Sequence, residues 1–152
     1  MPPLVPTPRK VTDPADWPGL ELLAATILLE AESEPDEGRV AVGWVVRNRM
    51  DARKVGVHEI CLAPSQFSCW NADYAGMRKA RLTAPDPAIW ERCWRAAAGA
   101  YWRLIPDVTD SADHYLNEAL TRQGRANGDL PAWFDPARVT VRLGRHTFLR
   151  LG

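Results

Sequence analysis

The chain has 152 residues, 46% of them apolar and 25% charged, with a formal net charge of zero. That is enough apolar material for one globular core and too much for a disordered chain. A neutral balance excludes the broad basic field of a nucleic-acid binder, and no apolar run approaches the roughly 18 residues of a membrane span.

The first stretch, MPPLVPTPRK, is Pro-rich and predicts an extended arm over residues 1–15, without the apolar region of a signal peptide. A single folded domain is expected over residues 16–152. Asp16 or Pro18 opens a first helix. Its Leu20, Leu22, Leu23, Ile27 and Leu29 mix helical spacing with almost continuous hydrophobicity, which marks a well-buried element. Leu22 to Leu29 run without a charge straight into Glu30. A carboxyl there has two readings. It sits at a helix end facing water, or it is buried, with its pKa raised until it serves as a general acid near neutral pH. Glu34 lies one turn further on and is either a second acid or a turn-forming residue. Glu32 points elsewhere on helical spacing and reads as solvated.

Ser33 to Glu37 reads as a break and a restart, with Pro35, Asp36 and Glu37 suited to the opening turn of a helix. Val40, Ala41, Val42, Trp44, Val45 and Val46 leave little polar face before Arg47. This second helix is expected to be the central one, held by packing because β-branched residues favour helix only weakly. Asp51 to Gly56 reads as a polar connection, His58 to Leu62 as a short helix, and Ala63 to Gly76 as a loop. Pro85 to Leu104 has helical spacing throughout and stops before Pro106. Ser111 to Asn117 is a loop or short strand carrying His114, Tyr115 and Asn117. Gln123 to Pro131 reads as flexible. Val139, Val141 and Leu143 alternate with Thr140 and Arg142, and Gly144 turns the chain back into HTFLRL, which predicts a hairpin. The fold class is α+β: mostly helical, with a small antiparallel β-hairpin near the C-terminus.

Of the seven tryptophans, Trp44 and Trp90 fall in helical stripes and read as core. Trp70 and Trp133 are candidate platforms for stacking on sugar rings. Cys61, Cys69 and Cys93 are odd in number and irregular in spacing, which is no disulfide framework and favours a reducing compartment. With His58, His114 and His146 they lack the short paired spacings of zinc sites. No metal or other cofactor is expected, and a zinc amidase is disfavoured on the same ground.

Four ordered blocks carry a family resemblance: LLEAESEPDEGRVAVGWVVRNRM from Leu22, SQFSCW from Ser65, ADHYLN from Ala112 with Pro131 and Trp133 after it, and LGRHTF from Leu143. The sequence resembles the SleB-type cell wall hydrolases, which act in spore-cortex lysis, peptidoglycan turnover and some phage lysis. The resemblance implies a goose-lysozyme/transglycosylase-like fold. It places Glu30 on the catalytic glutamate and Glu34 on the second acid of the motif, with Tyr115 facing the acid. Asn48 and Arg49 match the end of the second helix. Gln66, Phe67 and Ser68 fall on a segment along the glycan groove, Asn117 with Tyr115 on the segment facing the acid, and His146 and Phe148 on the closing strand. Two positions depart from the pattern: Ser33 stands where the family has Gly, and Leu116 where many relatives are polar or aromatic.

The activity so implied is a lytic transglycosylase acting on the MurNAc–GlcNAc β-1,4 bond. One carboxyl gives a proton to the glycosidic oxygen and takes one from the muramic acid 6-hydroxyl. A hydrolytic muramidase is the alternative, and a non-catalytic glycan-binding module is the reading from a different class. The expected partner is the peptidoglycan glycan strand, bound by a monomer with no nucleic acid and no membrane insertion. Without an export signal or a separate wall-binding module, a phage endolysin released through a holin-type pore is a natural setting.

Overall fold

The computed structural model describes residues 13–64 and 66–152. Most of the Pro-rich arm therefore lies outside the described residues. Its last residues fold down: Pro14–Asp16 forms a 3-10 turn capped by Asp13, whose side chain accepts from the Ala15 N–H at 3.0 Å. Trp17 behind it is buried.

Helix α1, Gly19–Ala31, is the central element, not the second helix. Leu22, Leu23, Ala24, Ala25, Thr26 and Ile27 have no exposed surface. A helix apolar on every side must be surrounded. It packs against α2 (Asp36–Arg53), α3 (Val57–Cys61), α4 (Ala75–Thr83) and α5 (Pro87–Tyr101). Helix α2 keeps an exposed acidic start at Asp36 and Glu37 and an exposed end at Asp51 and Arg53, so it covers the core from one side. It also runs through Asp51, where a polar connection was expected. Arg47 and Asp51 are one turn apart and pair at 2.8 Å, and Lys54 in the left-handed region (φ 56°) ends the helix by donating to the Met50 carbonyl.

Helices α2 and α5 meet through small residues. A Cβ on Gly43 would lie 2.9 Å from the Ala100 Cβ, so glycine is what permits this approach. Asp86 caps α5, accepting from the N–H groups of Ala88 and Ile89. Trp44 and Trp90 are buried, and the Trp44 indole donates to the Ile105 carbonyl at 3.0 Å.

The stretch Ala63 to Gly76 is more ordered than a loop. It carries 3-10 turns at Ser68–Trp70 and Ala72–Tyr74 and enters α4 at Ala75. Helix α4 has no clear signature in the sequence because Leu82 is its one buried residue.

The terminal hairpin is present as β2 (Val139–Leu143) and β3 (His146–Leu149), with Leu143 opposite His146. It belongs to a larger unit. Strand β1, His114–Leu116, pairs antiparallel with β3, which puts Tyr115 opposite Phe148 and makes a three-stranded sheet in the order β1-β3-β2. The middle strand is buried at every residue. Asn117 then caps a short helix α6, Glu118–Gln123, which ends where the polar segment was expected to begin. The result is the α+β architecture expected: mostly helical, with a small antiparallel sheet. Among the described residues, no helix is long and apolar enough to cross a membrane.

Candidate functional site

Glu30 is the penultimate residue of α1, where the buried helix reaches the surface. The chain turns there: the Glu34 N–H donates to the Ala31 carbonyl at 3.1 Å, and Pro35 leads into α2. A cleft of about 430 Å³ opens at this point. The end of α1 and the turn after it form one wall. Tyr115, Leu116 and Asn117 with Leu120 and Thr121 of α6 form another, and Ser68, Arg81, Arg145 and His146 complete it.

Burial raises the pKa of the Glu30 carboxyl above its ordinary value. The C-terminal end of a helix carries partial negative charge, which also disfavours a carboxylate. Two neighbours pull the other way, the Tyr115 phenol and the Arg81 guanidinium. Tyr115 is itself pushed well above its ordinary value, first by burial and then by the charge of Glu30. It therefore stays a phenol, able to donate. Its hydroxyl makes no well-formed hydrogen bond among the described residues, yet it acts on Glu30 at close range. A phenol so placed can donate to Glu30 when the carboxyl ionises.

Arg49 and Asn48, at the end of α2, hold this wall in place. Arg49 donates from Nε to the Asp113 carbonyl at 2.7 Å, and Asn48 donates to Asp107 and to the Ala112 carbonyl. These three bonds fasten the approach to β1, and so the position of Tyr115. The Arg49 guanidinium also lies over the Phe67 ring at 5.4 Å. Burial pushes its pKa down.

Glu34 is buried and its carboxylate accepts from the Arg145 N–H at 2.8 Å. Its oxygen is 3.5 Å from His146 Nδ1. A Cβ on Gly144 would come within 3.1 Å of both Glu34 oxygens, and its φ of 58° also calls for glycine. Glu34 thus ties the α1–α2 turn to the β2–β3 turn. Burial lowers the His146 pKa, with Glu34 opposing, which favours the neutral ring. Glu32 is not simply solvated: it lines the cleft and pairs with Arg81 at 2.9 Å.

Of the residues singled out in the sequence, Glu30, Glu34, Ser68, Tyr115, Asn117 and His146 come together on the cleft. Gln66 is exposed away from its walls. Phe67 is a core residue rather than a groove residue, with 2% of its surface exposed. Trp70 packs edge-on against Trp17 at 5.8 Å, donates to Thr26 at 2.9 Å and lies beneath Arg78, so structural partners occupy it. Trp133 leans on His114 at 5.3 Å, outside the cleft walls. Sequence reasoning missed Arg81, Leu120, Thr121 and Arg145. Asn117 followed by Glu118 is the cap signature that marks α6 and brings Leu120 and Thr121 into view. Arg81 has no such marker.

The three cysteines are free and buried. Burial pushes the Cys61 and Cys93 thiols up to about 12 and raises Cys69 as well. They are protonated and inert at neutral pH. Among the described residues, no three His, Cys, Asp or Glu side chains gather as a metal site would require.

The chain matches the family described as Cell Wall Hydrolase over residues 33–149, a span that begins just after Glu30. No curated protein matches it. Among solved structures it is similar to the catalytic domain of the Bacillus cereus SleB protein, at 19% identity and a TM-score of 0.59, over 95% of each chain. It is also similar to the catalytic domain of the germination-specific lytic transglycosylase SleB from Bacillus anthracis, at 20% identity and a TM-score of 0.59, over 95% of this chain and 100% of that one. At these identities the likeness is one of fold.

Proposed function

The chain belongs to the Cell Wall Hydrolase family, and from that premise we propose that it cleaves the glycan backbone of peptidoglycan as a lytic transglycosylase, with Glu30 as the acid and then the base. One observation carries this reading: Glu30 is the cleft carboxyl whose pKa burial raises, which favours its protonated form, while Glu32 is committed to Arg81 and Glu34 to the hairpin turn. The Bacillus anthracis protein of similar fold, itself described as a lytic transglycosylase, supports the choice of reaction.

The protonated Glu30 gives its proton to the oxygen of the MurNAc–GlcNAc bond, and the bond from that oxygen to the muramic acid anomeric carbon breaks. The resulting carboxylate is stabilised by Arg81 and by the Tyr115 phenol. It takes the proton of the muramic acid 6-hydroxyl as that oxygen closes on the anomeric carbon. Glu30 ends protonated again, and the sugar leaves as a 1,6-anhydro ring. A hydrolase working with two carboxylates needs a second one free to activate water or to attack. Glu34 is held by a backbone N–H inside the fold, so we assign it to the turn.

Mass spectrometry of purified peptidoglycan digested by the protein tests the reading. Anhydromuramic ends support it. Reducing muramic ends overturn the transglycosylase in favour of a muramidase, and peptide-bond cleavage with intact glycan overturns both.

A further inference from the structure

A helix ends with carbonyls that have no partner within the helix, and at the end of α1 those carbonyls surround Glu30. No glycine closes this helix. Glu32 at its C-cap remains in the right-handed region (φ −53°, ψ −44°), so the usual left-handed cap is absent. Two arginines take its place. Arg81, from α4, donates to the Leu28 carbonyl at 3.0 Å and the Leu29 carbonyl at 2.9 Å. Arg39, from α2, donates to the Ala31 carbonyl at 3.3 Å and the Glu32 carbonyl at 2.6 Å. Each guanidinium is anchored in turn. Arg81 also donates to the Tyr74 hydroxyl at 3.0 Å and to Glu32 at 2.9 Å, and Arg39 pairs with Asp36 at 2.7 Å. Arg39 is 4% exposed, and Arg81 lines the cleft.

The geometry points to Arg81 and Arg39 as positioning residues for the proposed reaction: they grip the carbonyls on both sides of Glu30, and Arg81 keeps a positive charge beside the carboxylate that forms when Glu30 gives up its proton. The inference rests on the reading of Glu30 as the acid. A planar fork of donors fixed at two carbonyls cannot be reproduced by an ammonium group, and small displacements of a catalytic group cost large factors in rate. Arg81 is the cation acting on Glu30. The other titratable groups coupled to Glu30 are Tyr115 on β1, Cys61 on α3 and Cys69 in the turn before α4. Glu32, Glu34, Arg145 and His146 share the cleft. Arg39 holds the Ala31 and Glu32 carbonyls, so the contribution assigned to it is geometric.

The experiment compares R81K, R81M and R39K with the wild type and with E30Q, using solubilised glycan strands. It measures kcat and KM across pH, and follows the Glu30 carboxyl by carbon-13 NMR titration in the folded protein. R81K keeps the charge and loses the fork. Its kcat is expected to fall about tenfold or more with KM little changed, and its alkaline limb to stay where the wild type has it. R81M is expected to lose as much and also to move that limb, with the carboxyl midpoint, to higher pH, because the charge favouring ionisation is gone. R39K is expected to lose kcat without moving the limb. Wild-type kcat in R81K, or an unmoved carboxyl midpoint in R81M, overturns the inference. Should circular dichroism show R81M unfolded, R81K decides it alone. A fully active E30Q overturns the reading of Glu30 instead, and the NMR midpoint then still decides whether Arg81 acts on that carboxyl.

Discussion

In the unfolded chain the Glu30 carboxyl ionises near its ordinary 4.5, and in the folded chain burial makes that ionisation harder. A carboxyl with a raised folded pKa contributes fully below its unfolded value, and its contribution is lost as pH rises through the folded value. Above about pH 4.5 the native state therefore carries a cost that Gln would not carry. We predict that E30Q raises the melting temperature at neutral pH and that the difference vanishes in acid; a scan of thermal unfolding between pH 4 and pH 8 checks this. An equal melting temperature throughout would mean that the carboxyl is solvated. Tyr115 belongs to the same balance. Y115F is expected to lower kcat by about a hundredfold and to shift the alkaline limb of the pH–rate profile upward, because the phenol favours the ionised form of Glu30. Glu30 stood out in the sequence because a charge ended an apolar run, a pattern that left open whether it was buried or faced water. Tyr115 was visible only through the family resemblance. Arg81 was not visible at all, since its partners are carbonyls far away in the chain and no local pattern marks such contacts.

Among the elements, α1 and α2 both looked buried in the sequence, and the choice of the wrong one as central has a physical reason. The β-branched run of α2 shows almost no polar residue before Arg47, but the helix's two ends are charged and reach solvent, whereas α1 is apolar on every side through its middle. Strength of hydrophobicity says that an element is buried; the distribution of charge around it says how completely. The α2–α5 contact gives a stability test. G43A places a Cβ 2.9 Å from the Ala100 Cβ, which is fixed to a helix and cannot rotate away. We expect a loss of about 1–3 kcal/mol from overpacking, partly offset by the roughly 1 kcal/mol that alanine adds to a helix. G76A, in α4 with nothing within 4 Å of its new Cβ, should be neutral or gain up to about 1 kcal/mol. Urea denaturation of the two variants separates them, and equal effects would contradict the packing described for Gly43. Helix α4 escaped the sequence reading because it lies on the surface and buries one residue, Leu82, so its apolar residues mark no stripe; yet it supplies Arg81.

At the scale of the whole molecule, the cleft exists because a helical half and a sheet half are locked together at the acid. The lock is Glu34, which reaches from the α1–α2 turn to the Arg145 N–H in the hairpin turn. E34A leaves that part-buried N–H without its acceptor and should cost about 1.5–3 kcal/mol in chemical denaturation. Its effect on rate should be smaller than that of E30Q, and a loss of activity as large, with stability unchanged, would make Glu34 a reacting group. The hairpin itself was readable from alternation and Gly144. Its pairing with β1 was not, because a strand of His114–Leu116 is too short to show a period and its partner lies far along the chain. Likewise the groove residues expected from the loop before α4 divide by side: Ser68 faces the cleft while Phe67 and Trp70 turn into the fold. The measurement that bears most directly on the whole account is turbidity clearing of purified peptidoglycan sacculi by wild-type and E30Q protein, with co-sedimentation to follow binding. The account predicts that E30Q binds as the wild type does and clears about a thousandfold more slowly; clearing at the wild-type rate would contradict it.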